Sequence, residues 1–109
     1  CASCHSMKHL SYRNLSQPGG PEFSEEQVKI IASQFEVRDG PNDDGEMFDR
    51  PARPSDNFVS PYSNDKEATA ANGGAYPPDM SVLVKARKGG ADYIYSLLFA
   101  TVRKMRRQQ

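Results

Sequence analysis

The chain has 109 residues, room for one domain, and its 14 basic and 14 acidic residues cancel to a net charge of zero. That balance excludes a global field of the kind that attracts nucleic acid. Leu, Ile, Val and Phe contribute 5, 3, 6 and 5 residues, or 19 of 109, too few for a self-sufficient core. High net charge, the other mark of disorder, is missing. The thin core therefore favours either a bound apolar cofactor or a part of a larger fold. No apolar run approaches the roughly 20 residues of a membrane span.

The first five residues, "CASCH", hold both cysteines and one of the two histidines. C-x-x-C-H is the attachment signature of a c-type haem. Thiols on consecutive helical turns can each form a thioether with one haem vinyl group. The imidazole, four residues after Cys1, shares their helix face and can reach the iron. Other readings stay open. Zinc could use Cys1, Cys4 and His9, but no second C-x-x-C closes a tetrahedron. A thioredoxin-like redox pair wants a βαβ context that is lacking. Chance recurrence of five residues is the third. His9 is expected as an exposed surface residue.

Residues 1–15 are expected to turn helical after the motif and to stop at the breaker run "SQPGGP". In "FSEEQVKIIASQF", Ser24 and Gln27 form a capping box, and Val28, Ile31 and Phe35 an apolar stripe. Residues 36–66 are rich in proline and poor in periodic apolar positions, so a long irregular excursion is expected, pinned by Phe48, Phe58 and Tyr62. In "ANGGAYPPDMSVLVKARKGG", Gly73 and Gly74 permit close backbone approach to a flat ligand. Asp79 is expected to cap a helix whose Met80, Leu83, Val84 and Arg87 share one face. A guanidinium on an apolar stripe suits an anion such as a haem propionate, or else snorkels at the rim of a core. A third helix through "DYIYSLLFATVRKM" presents Ile94, Leu97, Leu98, Thr101 and Met105 inward. Arg103, Lys104, Arg106 and Arg107 crowd its end, where a solvated basic tail is expected.

Four stretches, "CASCHSMKHLSYRNL", "EVRDGPNDDGEMFDRP", "ANGGAYPPDMSVLVKAR" and "GGADYIYSLL", together resemble the cytochrome c1 family, the haem subunit of the cytochrome bc1 complex (ubiquinol–cytochrome c reductase). The resemblance covers residues 1–98, in the family's order and spacing. It implies a mostly α, class I cytochrome c-like fold, here incomplete, with short helices around a haem and a long inserted loop. One covalently attached haem c is implied, with Cys1 and Cys4 as thioether attachments and His5 as the iron ligand. Asn72, Ala75, Pro77 and Pro78 fall in the family's haem-contacting stretch. Arg87 would pair with a propionate, and Tyr93 matches a tyrosine beside the haem.

The family's role is one-electron transfer from the Rieske iron–sulfur protein to soluble cytochrome c, beside cytochrome b, so an electron carrier is expected and not an enzyme in its own right. The phrase "ANGGAYPPD" is most similar to plant and protist members. That implies the intermembrane-space side of the mitochondrial inner membrane, with the periplasmic side of a bacterial inner membrane as the alternative. After Leu98 the family continues "TGY", whereas this chain reads "FATVRKMRRQQ", a divergent basic tail over 99–109. The family's second half carries the methionine on the other side of the iron and the membrane anchor, so an N-terminal part of the family protein is expected, truncated at its start as well. The rival expectations are a free soluble single-haem cytochrome, a non-functional truncated product, and a zinc-stabilised structural module.

Overall fold

The structure, a computed structural model, describes residues 1–107. Gln108 and Gln109, the end of the expected basic tail, lie outside the described residues. Four α-helices dominate: α1 (Glu25–Ser33), α2 (Asp65–Ala71), α3 (Leu83–Ala86) and α4 (Gly90–Arg107). A 3-10 turn covers Tyr12–Ser16, and β1 (Glu36–Asp39) pairs antiparallel with β2 (Phe48–Pro51).

Helix α1 forms for reasons local to its sequence. The Ser24 hydroxyl accepts from the Gln27 amide at 3.2 Å, and the Gln27 side chain accepts from the Ser24 amide at 3.0 Å. Two otherwise orphaned donors are thereby satisfied. Val28 and Ala32, four apart on one face, are fully buried. They meet Tyr12 and Ala52, with Leu15, Val37 and Phe58 packed around them. The Tyr12 ring lies 5.6 Å from Phe35 and 4.7 Å from Phe58, and its hydroxyl accepts from the Val59 amide. A buried phenol needs such a partner.

Two expectations about chain path are corrected. Residues 1–15 do not become a helix: one turn at the start gives way to extended chain and then the short 3-10 turn. Asn14 draws the chain back by accepting from the Ser11 amide, and the Tyr12 and Arg13 amides bond instead to the carbonyls of Asp56 and Pro54. The 36–66 excursion is not irregular throughout, because it contains the β1–β2 hairpin and the first two residues of α2. Its main pin is Arg50, which donates to Asp39 and forks onto Asp56 at 2.8 and 2.9 Å. Phe58 does reach the core, and the Tyr62 hydroxyl accepts from Asn72, but Phe48 is exposed.

Candidate functional site

The motif occupies a single turn. The amides of Cys4 and His5 both donate to the Cys1 carbonyl, at 3.1 and 2.8 Å. Cys1 is exposed and Cys4 and His5 are half-buried; Cys1 and His5 line one apolar cavity, whereas Cys4 lines a separate polar cleft on the same turn.

His5 is held by the second motif. Its Nδ1 lies 2.8 Å from the Pro78 carbonyl, across 73 residues of sequence. A carbonyl only accepts, so Nδ1 carries a proton, and in the neutral ring Nε2 keeps its lone pair. Proline at 78 leaves the carbonyl in place and stiffens the chain that presents it. The register is locked by three further bonds. The Met80 amide donates to the Ser6 carbonyl at 2.9 Å, the Lys8 amide to the Asp79 carboxylate at 3.3 Å, and the His9 amide to the Ser81 hydroxyl at 3.2 Å. Burial alone would raise the Asp79 carboxyl, but donors from Ser81, Ser6 and Lys8 outweigh it and hold the group down at about 2.

Two apolar cavities open on either side of this turn and share Ala2, His5 and Met7 as walls. The larger, about 350 Å³, is closed by Leu10, Met80, Leu83, Val84, Ile94 and Leu98 as well as Cys1. The smaller, about 230 Å³, is backed by Tyr12, Leu15, Ile31, Phe35, Phe58 and Val59. Exposed apolar walls of this extent in a chain with so small a core mark a binding site.

The expected site residues divide. Cys1, Cys4, His5, Pro77 and Pro78 come together: Pro77 lines a small polar cleft beside Cys4, and Pro78 holds His5. Asn72 instead ends α2, its side chain donating to the Ala68 carbonyl at 2.8 Å and to Tyr62. The Ala75 amide donates to the Asn72 carbonyl, closing the turn that follows. Gly73 and Gly74 serve the same helix end. Both take left-handed backbone, the Gly74 amide returns to the Thr69 carbonyl, and nothing crowds either α-carbon.

The expected helix over 80–87 shortens to α3, Leu83–Ala86. Asp79 therefore caps the turn before it, accepting from the Ser81 amide at 2.8 Å. Met80, Leu83 and Val84 do line the larger cavity, whereas Arg87 sits exposed in extended backbone, contacting the Ala86 carbonyl. Tyr93 lies on α4, half-exposed, one position from the cavity-lining Ile94. Of the stripe expected inward on α4, Ile94 and Leu98 reach the cavity, while Leu97, Thr101 and Met105 are exposed. His9 is exposed as expected. Among the described residues no three His, Cys, Asp or Glu side chains gather as metal ligands, which leaves the zinc module without a donor set. Met7, Leu10, Ile31, Phe58 and Val59 join the site without being expected there; no local periodicity marks most of them, since distant segments bring them together.

Two thiols on one turn, a histidine oriented through Nδ1, and apolar walls on both sides have the form of a c-type cytochrome's haem-attachment site. The model of the Cytochrome C1 family matches residues 1–107. The chain is 55% identical to "Cytochrome c1-2, heme protein, mitochondrial" of Solanum tuberosum over 92% of its length and 37% of the relative's. It is 56% identical to "Cytochrome c1" of Rhodospirillum rubrum, over 90% of this chain and 35% of that one. It is also 46% identical to the "Cytochrome b-c1 complex catalytic subunit, mitochondrial" of Candida albicans, over 90% and 33% respectively. This chain belongs to the cytochrome c1 family, and it spans about a third of the length of these curated relatives.

Proposed function

We propose that the chain carries one haem c, joined by thioethers from Cys1 and Cys4, with His5 ligating the iron through Nε2. The observation that carries this reading is the His5 Nδ1 to Pro78 carbonyl bond, which leaves Nε2 as the imidazole's free donor. The fit is chemical as well as geometric, because the walls around His5 are apolar and suit a macrocycle. When bound, the haem supplies a one-electron ferric/ferrous couple. The chain's own residues attach it, orient the imidazole and exclude water from the two apolar faces.

The haem-binding unit is residues 1–98, followed by the basic tail 99–109. Asn72, Ala75 and Pro77 support the haem-side loop. Arg87, with no acidic partner among the described residues, is free to meet a propionate, and Tyr93 flanks the haem edge. As part of a bc1-complex subunit the protein would be an electron carrier, taking electrons from the Rieske protein and passing them to soluble cytochrome c, beside cytochrome b. Its place would be the intermembrane-space face of a mitochondrial inner membrane, or the periplasmic face of a bacterial one. Exposed acids at the hairpin tip, Asp43, Asp44 and Glu46, would steer a basic partner.

Protein made with a c-type maturation system should keep one haem after denaturation, read by mass spectrometry and a pyridine haemochrome spectrum. The Cys1→Ala/Cys4→Ala double variant should keep none. A wild-type chain that folds yet stays at its bare mass overturns the proposal.

A further inference from the structure

The haem reading leaves the outer side of α4 without a task. Ile94 and Leu98 of that helix reach the cavity. Tyr95, Phe99 and Val102 follow one another at i, i+4 and i+7 and so form a separate stripe beside them. They are 71%, 64% and 52% exposed, and the rings of Tyr95 and Phe99 stack with centroids 6.2 Å apart. Arg103 stands four residues after Phe99, and Arg106 four after Val102, so basic side chains border the apolar stripe. No acidic residue follows Asp92 in the sequence. Among the described residues no ion pair engages Arg103, Lys104 or Arg106. In a chain of zero net charge, the positive charge here is local.

We propose that α4 is an interfacial helix that docks on an anionic lipid surface. Tyr95, Phe99 and Val102 enter the boundary between headgroups and acyl chains, and Arg103, Lys104 and Arg106 pair with lipid phosphates. Exposed aromatics beside a basic face are the pattern of helices that lie on a membrane. Spanning is not the mode, because no described helix is long and apolar enough to cross. A simple polyanion would answer the charges but leave the apolar stripe in water. A second copy that packed α4 on α4 would bring its own basic residues against these. The inference does not depend on haem binding.

The test sediments the full chain, with and without haem, against vesicles of phosphatidylcholine alone and of phosphatidylcholine mixed with phosphatidylserine. Binding is expected to the mixed vesicles only. Tyr95→Ser/Phe99→Ser should abolish it, and Arg103→Gln/Arg106→Gln should weaken it on the order of 30-fold. The chain has no tryptophan, so Phe99→Trp gives a clean reporter whose emission should shift to the blue on mixed vesicles. That measurement stands even if a serine variant folds poorly. Three results would overturn the proposal: no binding and no shift, binding unchanged in the folded serine variant, or a dimer in solution that the same variant dissolves.

Discussion

His5 and Asp79 show how two single side chains carry the register of the site. The Pro78 carbonyl fixes the imidazole, and the next residue's carboxylate ties Lys8 and Ser81 to the same place, so the 5–9 and 78–81 segments cannot slide independently. Replacing Asp79 by Ala strands those amides and should cost about 1–2 kcal/mol, read as a lower urea midpoint with an unchanged slope. The Asp79 and Asp56 carboxyls both sit at about 2 in the folded chain, Asp79 through donors that outweigh its burial and Asp56 chiefly through Arg50. A carboxyl depressed on folding stabilises above its unfolded value of about 3.9, and that stability is lost as pH falls towards 2. The gap between wild type and Asp79→Ala should therefore be full at pH 6 and close towards pH 2. A gap that stays constant across this range would mean the carboxylate charge contributes nothing.

Among the elements, the hairpin depends most on one residue. Four-residue strands cannot hold themselves together in water. Arg50 ties β1 and β2 to the 52–58 segment through Asp39 and Asp56, and it holds both carboxyls below their usual range. Arg50→Met should release the hairpin without unfolding α1. Hydrogen exchange should then speed at 36–51 while the amides of 28–34 stay protected; equal loss in both would show that the hairpin is part of the core's cooperative unit. This element also shows why a sequence reading falls short here. Helix α1 is legible because its cap and stripe are local, within about ten residues. The C-x-x-C-H turn is legible for the same reason. Arg50 meets Asp39 and Asp56 from 11 and 6 positions away, with no periodicity to announce the pairing, so the segment reads as irregular. The 80–87 stripe reads as a longer helix than the one that forms. Its apolar members do face one cavity, but Val82 stands at the N-cap with no capping side chain, and the helix contracts to one turn.

At the scale of the whole molecule, the chain is too open for its length. Its radius of gyration is 16.4 Å, against about 13 Å for a packed domain of this size. The fully sequestered hydrophobic side chains among the described residues are Tyr12, Val28, Ala32, Ala52 and Ala68, three of them alanines. Meanwhile Leu98, Val84 and Phe35 stand partly exposed around the two cavities that flank His5. A flat apolar group seated there would give those side chains the burial they lack. Any ligand that binds the folded state alone also stabilises it by mass action, and a covalent one cannot dissociate. The apoprotein should thus unfold broadly and at low temperature, whereas the haem-loaded chain should melt cooperatively and higher. Small-angle scattering should show the radius of gyration falling on loading. Hydrogen exchange should slow most at 5–12 and 78–98, the segments that frame the larger cavity, and least at the hairpin. Equal melting of the two forms, with no change in protection at 78–98, would mean that the cavities fill by closing on themselves and that the openness of the chain has another cause.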